Sequence, residues 1–427
     1  MHHSNAGKIN GDAVNNRSNL SGLYVPEPLF RPGDKPDYSH ISVPSELTPP
    51  RPDPMVDHHE TAQHSLGLIR VMKLDNRTAG PWDPKLGADT LRIALRNMSI
   101  NRAMDDRMFK MQRQGKLSFY VKSTGEEAVS CAHAMALEKS DMIFPTYRQV
   151  GILIARDCPI FDMMCQLLSN RGDALQGKSL PVLYSFRNYG FFTVSGNLGT
   201  QLIQGVGWAM ACAYKNTDAI ASVFTGEGAT AEGDFHYALN FASTYRAPCI
   251  INVVNNQWAI SSFQGIAAGE GETFAARGVG YGLATLRVDG NDVLAVYAAT
   301  RWAAERARRG GGATVIEHFT YRREGHSTSD DPSKYRAENE GEVWPFGDPV
   351  DRLRNHLIHI GEWDLARDEA MMEEIDVHIR DTYKRAEKLG SLATDTGIDE
   401  MTMFEQVYED PPIHLQRQRD AFRAETG

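Results

Sequence analysis

Three residues between a predicted strand and a predicted helix are suited to binding a phosphate. Gly226, Glu227 and Gly228 follow the apolar run 219–224 and precede a stretch of helical spacing. Glycines let a ligand approach the backbone closely, and a helix N-terminus offers free N–H groups to a diphosphate. Glu227 would repel that anion unless a hard cation, Mg²⁺ or Ca²⁺, lies between them. The segment therefore predicts a combined metal and diphosphate site, although Gly-x-Gly by itself more often only begins a helix.

A second polar segment supplies the further oxygen ligands that a hard cation needs. Asn255 and Asn256 end the next apolar run, with 26 residues between Gly228 and Asn255. Because adjacent parallel strands end at the same edge of a sheet, we expect these residues beside Glu227. The side-chain carbonyl of Asn256 and the backbone carbonyl of Trp258 are the predicted ligands. Asn-Asn alone is more often a turn, but the two segments at this separation form a specific pattern.

The elements that must hold these residues alternate along the chain. Short apolar runs at 219–224, 250–254, 285–288 and 313–320 predict strands, and helical spacing lies between them, most clearly at 293–308. Strands that alternate with helices form parallel βαβ units. The chain is therefore predicted to be α/β with a parallel sheet, whose ligands bind at the carboxyl ends of the strands.

Other helices are predicted on either side of this region. A long helix is expected from about Asp89, which is a candidate N-cap. Apolar residues at helical spacing, expected in the core, are Met98, Met104, Met108 and Met111, and in a later helix Phe235, Ala238, Leu239 and Ala242. After Pro349, the residues Leu353, Leu357 and Ile360 predict one more helix before a polar, charged tail.

The composition is that of an ordinary globular protein. The 427 residues are 41% hydrophobic and 23% charged, which excludes a wholly disordered or fibrous chain. A formal net charge of −10 argues against a dedicated nucleic-acid-binding protein. No apolar run approaches the length of about 18 residues that spans a bilayer. Five isolated cysteines, and a first segment without the apolar core of a signal peptide, predict a reduced, cytoplasmic setting.

A proline-rich segment precedes the first long helix. Residues 24–54 hold nine of the 20 prolines, so this segment is predicted to be an extended arm and not a helix or inner strand. It is either a flexible linker or an arm laid over a partner subunit, and the interleaved apolar residues slightly favour the second. We expect an arm at 1–63, an α/β domain at 64–348, and a helical extension with a tail at 349–427.

Residues 172–179, with the sequence GDALQGKS, match the phosphate-loop pattern of nucleoside triphosphatases. That pattern requires a preceding strand and a helix that begins at its Lys-Ser pair. Here the preceding residues have helical spacing and Pro181 follows closely, so a chance match is expected. A nucleoside triphosphatase is the remote alternative, and replacement of Lys178 by alanine would test it.

From about Lys116 to Arg336 the chain resembles the α subunits of 2-oxo acid dehydrogenase decarboxylase components, a family of thiamine diphosphate enzymes. Besides the two polar segments above, the stretches that carry the resemblance are 118–127, 144–149, 197–201, 326–331 and 335–336. Thr328 and the pair Asp330-Asp331 are more similar to branched-chain (2-oxoisovalerate) members than to pyruvate members. A pyruvate or acetoin dehydrogenase α subunit is the first alternative, and a non-catalytic scaffold with the same fold is another.

The resemblance implies a thiamine diphosphate-binding fold with thiamine diphosphate and Mg²⁺ as cofactors, and with K⁺ as in some relatives. It implies that His326, on the loop after Tyr321, is the catalytic residue. The implied ligands of Mg²⁺ are Glu227, Asn256 and the carbonyl of Trp258. The implied cofactor contacts are Tyr147, Arg148, Leu198, Gly228, Ala229, Arg322 and His326, and the possible K⁺ ligands are Ser195, Asn197, Thr200 and Gln201.

The resemblance also implies the reaction and the partners. A branched-chain 2-oxo acid is oxidatively decarboxylated, and its acyl group passes to the lipoyl group of an acyltransferase component with help from His326. A β subunit supplies the carboxylate that activates the cofactor, so an α2β2 heterotetramer is expected with the cofactor between chains. No nucleic acid and no membrane is expected as a partner.

Several positions add detail to the resemblance. Val254 stands where many relatives carry a diphosphate-binding arginine, a lost contact that Arg322 would replace. Ser327 aligns with a serine that is phosphorylated in some mitochondrial relatives, although local hydrogen bonds that order the loop are the favoured explanation of the Ser-Thr-Ser-Asp-Asp cluster. Phe119 and Tyr120 are expected to line the pocket for the substrate side chain.

Overall fold

The computed structural model describes residues 25–39, 41, 48–269, 273–392, 400–405 and 407–426. Its strands are β1 (Met142–Phe144), β2 (Ala221–Gly226), β3 (Cys249–Asn255), β4 (Trp258–Ala259), β5 (Ser262–Phe263), β6 (Ala284–Asp289) and β7 (Thr314–Phe319). Five of them form one sheet in the order β1-β2-β3-β7-β6, and every neighbouring pair in it is parallel. The short β4 and β5 form a separate antiparallel pair. The predicted parallel α/β sheet is confirmed.

The sheet is covered on both faces. Successive residues of a strand point to opposite faces, and in β3 Ile250 and Ile251 accordingly join two different apolar clusters. The first cluster consists largely of buried side chains from long helices, such as Leu95 and Trp302. The second contains Val223 and Val315 from the sheet. Burial on both faces explains why these strands are continuous apolar runs without alternation.

The register of the sheet brings the predicted site residues to one edge. Gly226 of β2 pairs with Val254 of β3, and Asn255 pairs with Phe319 of β7. The three strands therefore end side by side, and the segments that follow them emerge together. This is the edge where open parallel sheets bind their ligands.

The helices surround this sheet and continue beyond it. They are α1 (Ala88–Arg113), α2 (Glu127–Ala136), α3 (Val150–Ala155), α4 (Ile160–Leu168), α5 (Thr200–Tyr214), α6 (Gly233–Thr244), α7 (Gln264–Ala268), α8 (Ala276–Val279), α9 (Val293–Arg308), α10 (Pro349–His359), α11 (Leu365–Glu387) and α12 (Ile413–Thr426). Short 3₁₀ helices lie at His58–Ser65, Arg187–Tyr189, Gly228–Ala231, Pro332–Lys334 and Glu400–Phe404. Among the described residues, no helix is both long enough and apolar enough to cross a membrane.

Helix α9 coincides with its predicted range, because its N-terminus carries a clear signal. The Asp292 carboxylate accepts hydrogen bonds from the backbone N–H groups of Leu294 (3.0 Å) and Ala295 (3.1 Å). The predicted cap of α1 is wrong. The N-cap is Gly87 with no side-chain hydrogen bond, and Asp89 lies inside the first turn, where its carboxylate pairs with Arg92.

The predicted core residues are buried, but the C-terminal region is more helical than expected. The four methionines of α1 and the four apolar residues of α6 are all buried, as predicted. The expected polar tail instead contains α11, whose buried stripe includes Met371, Ile375 and Ile379. These apolar residues are widely spaced among charged ones, so the amphipathic pattern is easily overlooked. Ile360 follows the end of α10 and is 43% exposed, in contrast to Leu353 and Leu357.

The proline-rich segment from residue 48 onward lies against its own chain. The indole N–H of Trp302 donates to the carbonyl of Pro52 (2.9 Å), and Arg306 donates to that of Pro54 (2.7 Å). Extended proline-rich backbone has no internal hydrogen bonds, so its carbonyls are free to accept such donors. A flexible linker is therefore the wrong description for this part. Of the predicted arm at 1–63, residues 1–24, residue 40 and residues 42–47 lie outside the described residues.

Two further predictions concern residues away from the site. The segment 172–179 follows helix α4 and not a strand, and no helix begins at Lys178, whose ammonium donates to the carbonyl of Glu405 (2.7 Å). The phosphate-loop match is therefore a chance match. All five cysteines are buried and free, as expected for thiols in a reduced protein.

Candidate cofactor and metal site

Glu227 is a buried carboxylate with one unsatisfied oxygen. It follows β2 directly, and the residue is only 1% exposed to solvent. Its Oε2 accepts a weak hydrogen bond from the backbone N–H of Asn256 (3.4 Å), while Oε1 has no hydrogen-bond partner. An unpaired buried anion costs free energy, and a bound cation would remove that cost. The donor set thus fits a hard metal ion.

The electrostatic surroundings of Glu227 agree with this interpretation. Burial raises the pKa of Glu227 to about 7, against the lowering influence of its own backbone N–H and of the Arg322 guanidinium. The negative charge of Glu126, a second carboxylate nearby, also raises the pKa of Glu227. A metal ion between these groups would favour the ionised form.

The side-chain amide of Asn256 is held by hydrogen bonds at both ends. Its Nδ2 donates to Glu126 Oε1 (2.8 Å), and its Oδ1 accepts a hydrogen bond from the backbone N–H of Trp258 (3.3 Å). Because the amide hydrogens face a carboxylate, the oxygen is directed to the other side. Glu126 lies in the stretch 118–127, which carries the resemblance, but nothing in the sequence indicates its role. Its partner is 130 positions away in the sequence, so no local pattern connects them.

The Trp258 carbonyl is shared with an arginine. Arg322 Nη1 donates to this carbonyl (2.7 Å), and Arg322 Nη2 donates to the carbonyl of Ile260 (2.9 Å). A carbonyl oxygen has two lone pairs, so one stays available for a cation. The arginine itself is 1% exposed and is held beside the expected metal position.

Arg148 is the second buried guanidinium of the site. Its Nη1 donates to the carbonyl of Lys122, its Nη2 donates to the carbonyl of His326 (3.0 Å), and its Nε lies 3.5 Å from Glu126 Oε1. The planar, permanently charged guanidinium is the group that proteins most often use for bidentate phosphate recognition. Two such cations, Arg148 and Arg322, thus flank the expected diphosphate.

His326 lies between the two arginines, and they determine its tautomer. Arg148 Nη2 and Arg322 Nη1 each lie 3.3 Å from His326 Nδ1. Guanidinium groups can only donate, so Nδ1 must accept and the proton of the neutral ring must be on Nε2. Nε2 faces the Tyr147 hydroxyl at 3.4 Å. The structure therefore brings together four of the predicted cofactor contacts, which are Tyr147, Arg148, Arg322 and His326.

The charge state of His326 follows from the same neighbours. Burial, together with the positive charges of Arg148 and Arg322, lowers its pKa to about 3, although Asp330 acts in the opposite direction. The imidazole is therefore neutral at physiological pH. It can donate a hydrogen bond from Nε2 without carrying a charge.

The loop that carries His326 is held by hydrogen bonds on both sides. Asp330 Oδ2 accepts from the His326 N–H (2.6 Å) and from the Tyr335 hydroxyl (2.6 Å). Thr328 and Tyr120 exchange two hydrogen bonds, through the Thr328 N–H and its hydroxyl oxygen. Ser327 Oγ accepts from the N–H of the serine two residues later (3.2 Å). The polar residues at 327–331 therefore make hydrogen bonds that order the loop, as expected for this cluster.

Three of the possible K⁺ ligands form a compact group of oxygens. Thr200 Oγ1 lies 2.9 Å from Ser195 Oγ and 2.9 Å from the Asn197 carbonyl. Gln201 is buried, donates through Nε2 to the Phe224 carbonyl of β2 (2.8 Å), and leaves its Oε1 without a hydrogen-bond partner. The first turn of α5 is thereby tied to β2, the strand that directly precedes Glu227.

The remaining predicted residues have different surroundings. Gly228 leaves no room for a side chain, because a Cβ there would lie 2.4 Å from Ala259 Cβ. Ala229 is buried, whereas Leu198 is 44% exposed. Val254 is buried in the core, so β3 offers no cation at that position.

The two aromatic residues expected to line the substrate pocket differ in burial, and their role there stays a prediction. Tyr120 is completely buried, and its hydroxyl donates to Asp105 Oδ1 (2.8 Å). Phe119 is partly buried against the main apolar cluster. The alternation of polar and apolar residues in this segment did not reveal that Tyr120 serves an internal hydrogen bond.

Comparison with known proteins identifies the family. A family model described as "Dehydrogenase E1 component" matches residues 95–394, and one described as "2-oxoisovalerate dehydrogenase E1 alpha subunit N terminal" matches residues 19–58. The first match spans well over half of the chain. The chain belongs to the dehydrogenase E1 component family. Members of this family are thiamine diphosphate enzymes, in agreement with the resemblance stated above.

Relatives of this E1 component chain are similar over most of their length. The 2-oxoisovalerate dehydrogenase subunit alpha of Pseudomonas aeruginosa is 53% identical over 399 residues, which is 93% of this chain and 97% of the relative. The mitochondrial 2-oxoisovalerate dehydrogenase subunit alpha of Mus musculus is 37% identical over 356 residues, covering 83% and 79%. The 3-methyl-2-oxobutanoate dehydrogenase subunit alpha of Mycobacterium tuberculosis is 38% identical over 345 residues, covering 80% and 88%.

Proposed function

We propose that this chain is the α subunit of the decarboxylase component of a branched-chain 2-oxo acid dehydrogenase complex. It acts in the oxidative decarboxylation of branched-chain 2-oxo acids and in transfer of the acyl group to a lipoyl group on the acyltransferase component. The names of the three relatives support a branched-chain substrate over pyruvate or acetoin. The chance nature of the phosphate-loop match removes the support for a nucleoside triphosphatase.

The unsatisfied Oε1 of Glu227 is the observation that carries this proposal. A buried carboxylate with an unpartnered oxygen would repel a phosphate by itself, whereas a metal ion held between the two would suit both. Glu227, Asn256 and the carbonyl of Trp258 would hold Mg²⁺.

The cofactor contacts follow from the same edge of the sheet. Thiamine diphosphate, when bound, supplies the group that accepts the electron pair as carbon dioxide leaves the substrate. The residues proposed to hold it are Tyr147, Arg148, Leu198, Gly228, Ala229, Arg322 and His326. The two buried arginines offset the charge of the diphosphate, and the space at Gly228 is closed by Ala259, which fixes the backbone N–H groups of the segment.

His326 is proposed as the catalytic residue. Its neutral ring presents the Nε2–H as a hydrogen-bond donor, because both arginines donate to Nδ1. It would donate to an oxyanion that develops on the substrate, and it would orient the acyl group for transfer to the lipoyl group. Burial keeps this ring from becoming a cation that competes with Arg148 and Arg322 for the diphosphate.

A monovalent cation site is proposed at the loop before α5. Ser195, Asn197, Thr200 and Gln201 would bind K⁺ there, supported by the group of oxygens that three of them form and by the unpartnered Oε1 of Gln201. Because Gln201 also contacts β2, an ion at this loop would stiffen the backbone next to Glu227.

The active assembly is proposed to be an α2β2 heterotetramer. The family implies a β-subunit partner, and Leu198, which is 44% exposed, is an apolar side chain that a second chain could cover.

We further propose that the chain is divided into an arm at 1–63, a cofactor-binding domain at 64–348 and a helical extension at 349–427. We also propose a cytoplasmic location.

The test is reconstitution with the β partner. The chain is co-purified with that partner, and lipoyl acylation is measured with 2-oxoisovalerate and with pyruvate. We expect a higher kcat/KM for 2-oxoisovalerate, and no decarboxylation by the α chain alone. Preference for pyruvate would contradict the branched-chain assignment, and full activity without the partner would contradict the shared site.

Two variants test the roles of single residues in the same complex. His326→Ala should lower lipoyl acylation by about 10²- to 10⁴-fold, the range for loss of a positioned proton donor. Lys178→Ala should leave the activity unchanged, because its ammonium only contacts the Glu405 carbonyl on the surface. Unchanged turnover of His326→Ala would refute its catalytic role.

A further inference from the structure

Glu126 lies between the metal-binding and phosphate-binding groups of the candidate site, although it is not a candidate ligand itself. It directly precedes α2, and its side chain is buried. Its Oε1 accepts a hydrogen bond from Asn256 Nδ2 (2.8 Å) and lies 3.5 Å from Arg148 Nε. A single carboxylate oxygen therefore joins the amide proposed for the metal to the guanidinium proposed for the diphosphate.

The contact with Asn256 decides which end of the amide faces the metal position. An asparagine amide has a carbonyl oxygen on one side and two hydrogens on the other, and a rotation by about 180° exchanges them. In the rotated arrangement, the Asn256 oxygen would face the Glu126 carboxylate and the two acceptors would repel each other. Glu126 thus holds Oδ1 on the side where it contacts the Trp258 N–H (3.3 Å).

The contact with Arg148 completes the support of that guanidinium. The other two nitrogens of Arg148 donate to the carbonyls of Lys122 and His326. Without Glu126, the guanidinium would be held only by neutral groups, namely these two carbonyls and the His326 ring. The ion pair with Glu126, at 3.5 Å between two buried side chains, is weakly screened and therefore contributes to the orientation.

We propose that Glu126 is a positioning residue that couples the binding of the metal ion to the binding of the diphosphate. This inference rests on the proposed function, because it takes Asn256 and Arg148 as the groups that meet Mg²⁺ and thiamine diphosphate. Loss of the carboxylate frees both at once, so each ligand should bind more weakly even though Glu126 contacts neither.

The experiment uses the complex reconstituted with the β partner. Calorimetric titration gives the dissociation constant of thiamine diphosphate at saturating Mg²⁺, and a Mg²⁺ titration at saturating thiamine diphosphate gives the half-saturating metal concentration. Glu126→Gln, which keeps the size and removes the charge, should raise each value by about tenfold, as expected for an outer-shell partner of a metal ligand. Glu126→Asp, which withdraws the oxygen by one methylene, should act in the same direction and replaces the first variant if that one does not assemble.

The path through Asn256 and Arg148 is tested by combining substitutions. In the Asn256→Ala background, Glu126→Gln should no longer change the half-saturating Mg²⁺ concentration. In the Arg148→Ala background, it should no longer change the dissociation constant of thiamine diphosphate. A purely structural role of Glu126 would produce additive effects in both backgrounds, and that result would overturn the proposal.

Glu127→Gln is the matched control. Glu127 is the next residue, equally buried, but its carboxylate pairs with Arg102 of α1 and not with Asn256 or Arg148. In this variant, the dissociation constant of thiamine diphosphate and the half-saturating Mg²⁺ concentration should stay within about twofold of the unaltered complex. If Glu127→Gln weakens binding as much as Glu126→Gln does, the assignment to Glu126 is overturned. Absence of thiamine diphosphate binding by the unaltered complex would overturn the proposed function itself. Normal binding that Glu126→Gln leaves unchanged would overturn only the positioning role.

Discussion

Replacement of Glu227 by glutamine should stabilise the cofactor-free protein while it abolishes metal binding. In the folded chain the Glu227 carboxylate is buried, and its Oε1 has no hydrogen-bond partner. Glutamine has nearly the same shape but no charge. The substitution therefore isolates the cost of holding an ionised carboxylate in the site when no cation is bound.

The magnitude follows from the pKa of Glu227. Burial raises this pKa from 4.5 to about 7, and 2.5 units at 1.36 kcal/mol each correspond to about 3 kcal/mol. In the pH range between these two values, the folded state binds more protons than the unfolded state. The free energy of unfolding therefore falls as the pH rises from about 4.5 to about 7, and it stays low above that range.

The assay compares the two proteins as cofactor-free complexes with the β partner. Denaturant unfolding is measured at pH 5 and at pH 8, and the quantity of interest is the difference between Glu227→Gln and the unaltered protein. Groups common to both proteins cancel in this difference. We expect the difference in unfolding free energy, variant minus unaltered protein, to be about 2–3 kcal/mol larger at pH 8 than at pH 5. Saturating Mg²⁺ with thiamine diphosphate should then stabilise only the unaltered protein, by about 2.7 kcal/mol at 100 times the dissociation constant.

Two results would refute this reasoning. If the stability difference is the same at pH 5 and at pH 8, Glu227 is not held in a desolvated position without its cation. If Mg²⁺ with thiamine diphosphate stabilises Glu227→Gln as much as the unaltered protein, the carboxylate is not a ligand of the metal.

Two further substitutions have expected outcomes. Gly228→Ala should destabilise the protein by about 1–3 kcal/mol and weaken thiamine diphosphate binding, because the new Cβ would lie 2.4 Å from Ala259 Cβ. Gly226→Ala is the control for the stability change alone, since a Cβ there meets nothing within 4 Å, and an equal loss of unfolding free energy in calorimetry would contradict the packing argument. Trp302→Phe removes the hydrogen bond to the Pro52 carbonyl (2.9 Å) and should lower the unfolding free energy by about 1 kcal/mol or more. Limited proteolysis should then cut the proline-rich segment sooner, and an unchanged cleavage rate would show that the indole does not hold it.

The strands and the main helices were predictable because their signals are local. Strands buried on both faces are continuous apolar runs, and the Asp292 cap marks the start of α9 in the sequence. Helix α11 was missed because its apolar stripe is diluted by charged residues. The cap at Asp89 was predicted wrongly because the residue type is compatible with both the cap and the first turn.

The sequence by itself determined that this is an α/β chain with polar segments at the ends of neighbouring strands. It also predicted that Glu227 and Asn256 lie side by side, and the structure has them in contact. Tertiary structure alone decided which groups orient them. Glu126 accepts a hydrogen bond from Asn256, which is 130 positions away in the sequence. Two arginines from different segments contact Nδ1 of His326 and thereby determine its tautomer. The physical reason is that hydrophobic periodicity is read within one element, whereas a hydrogen bond depends on where separate elements meet after packing.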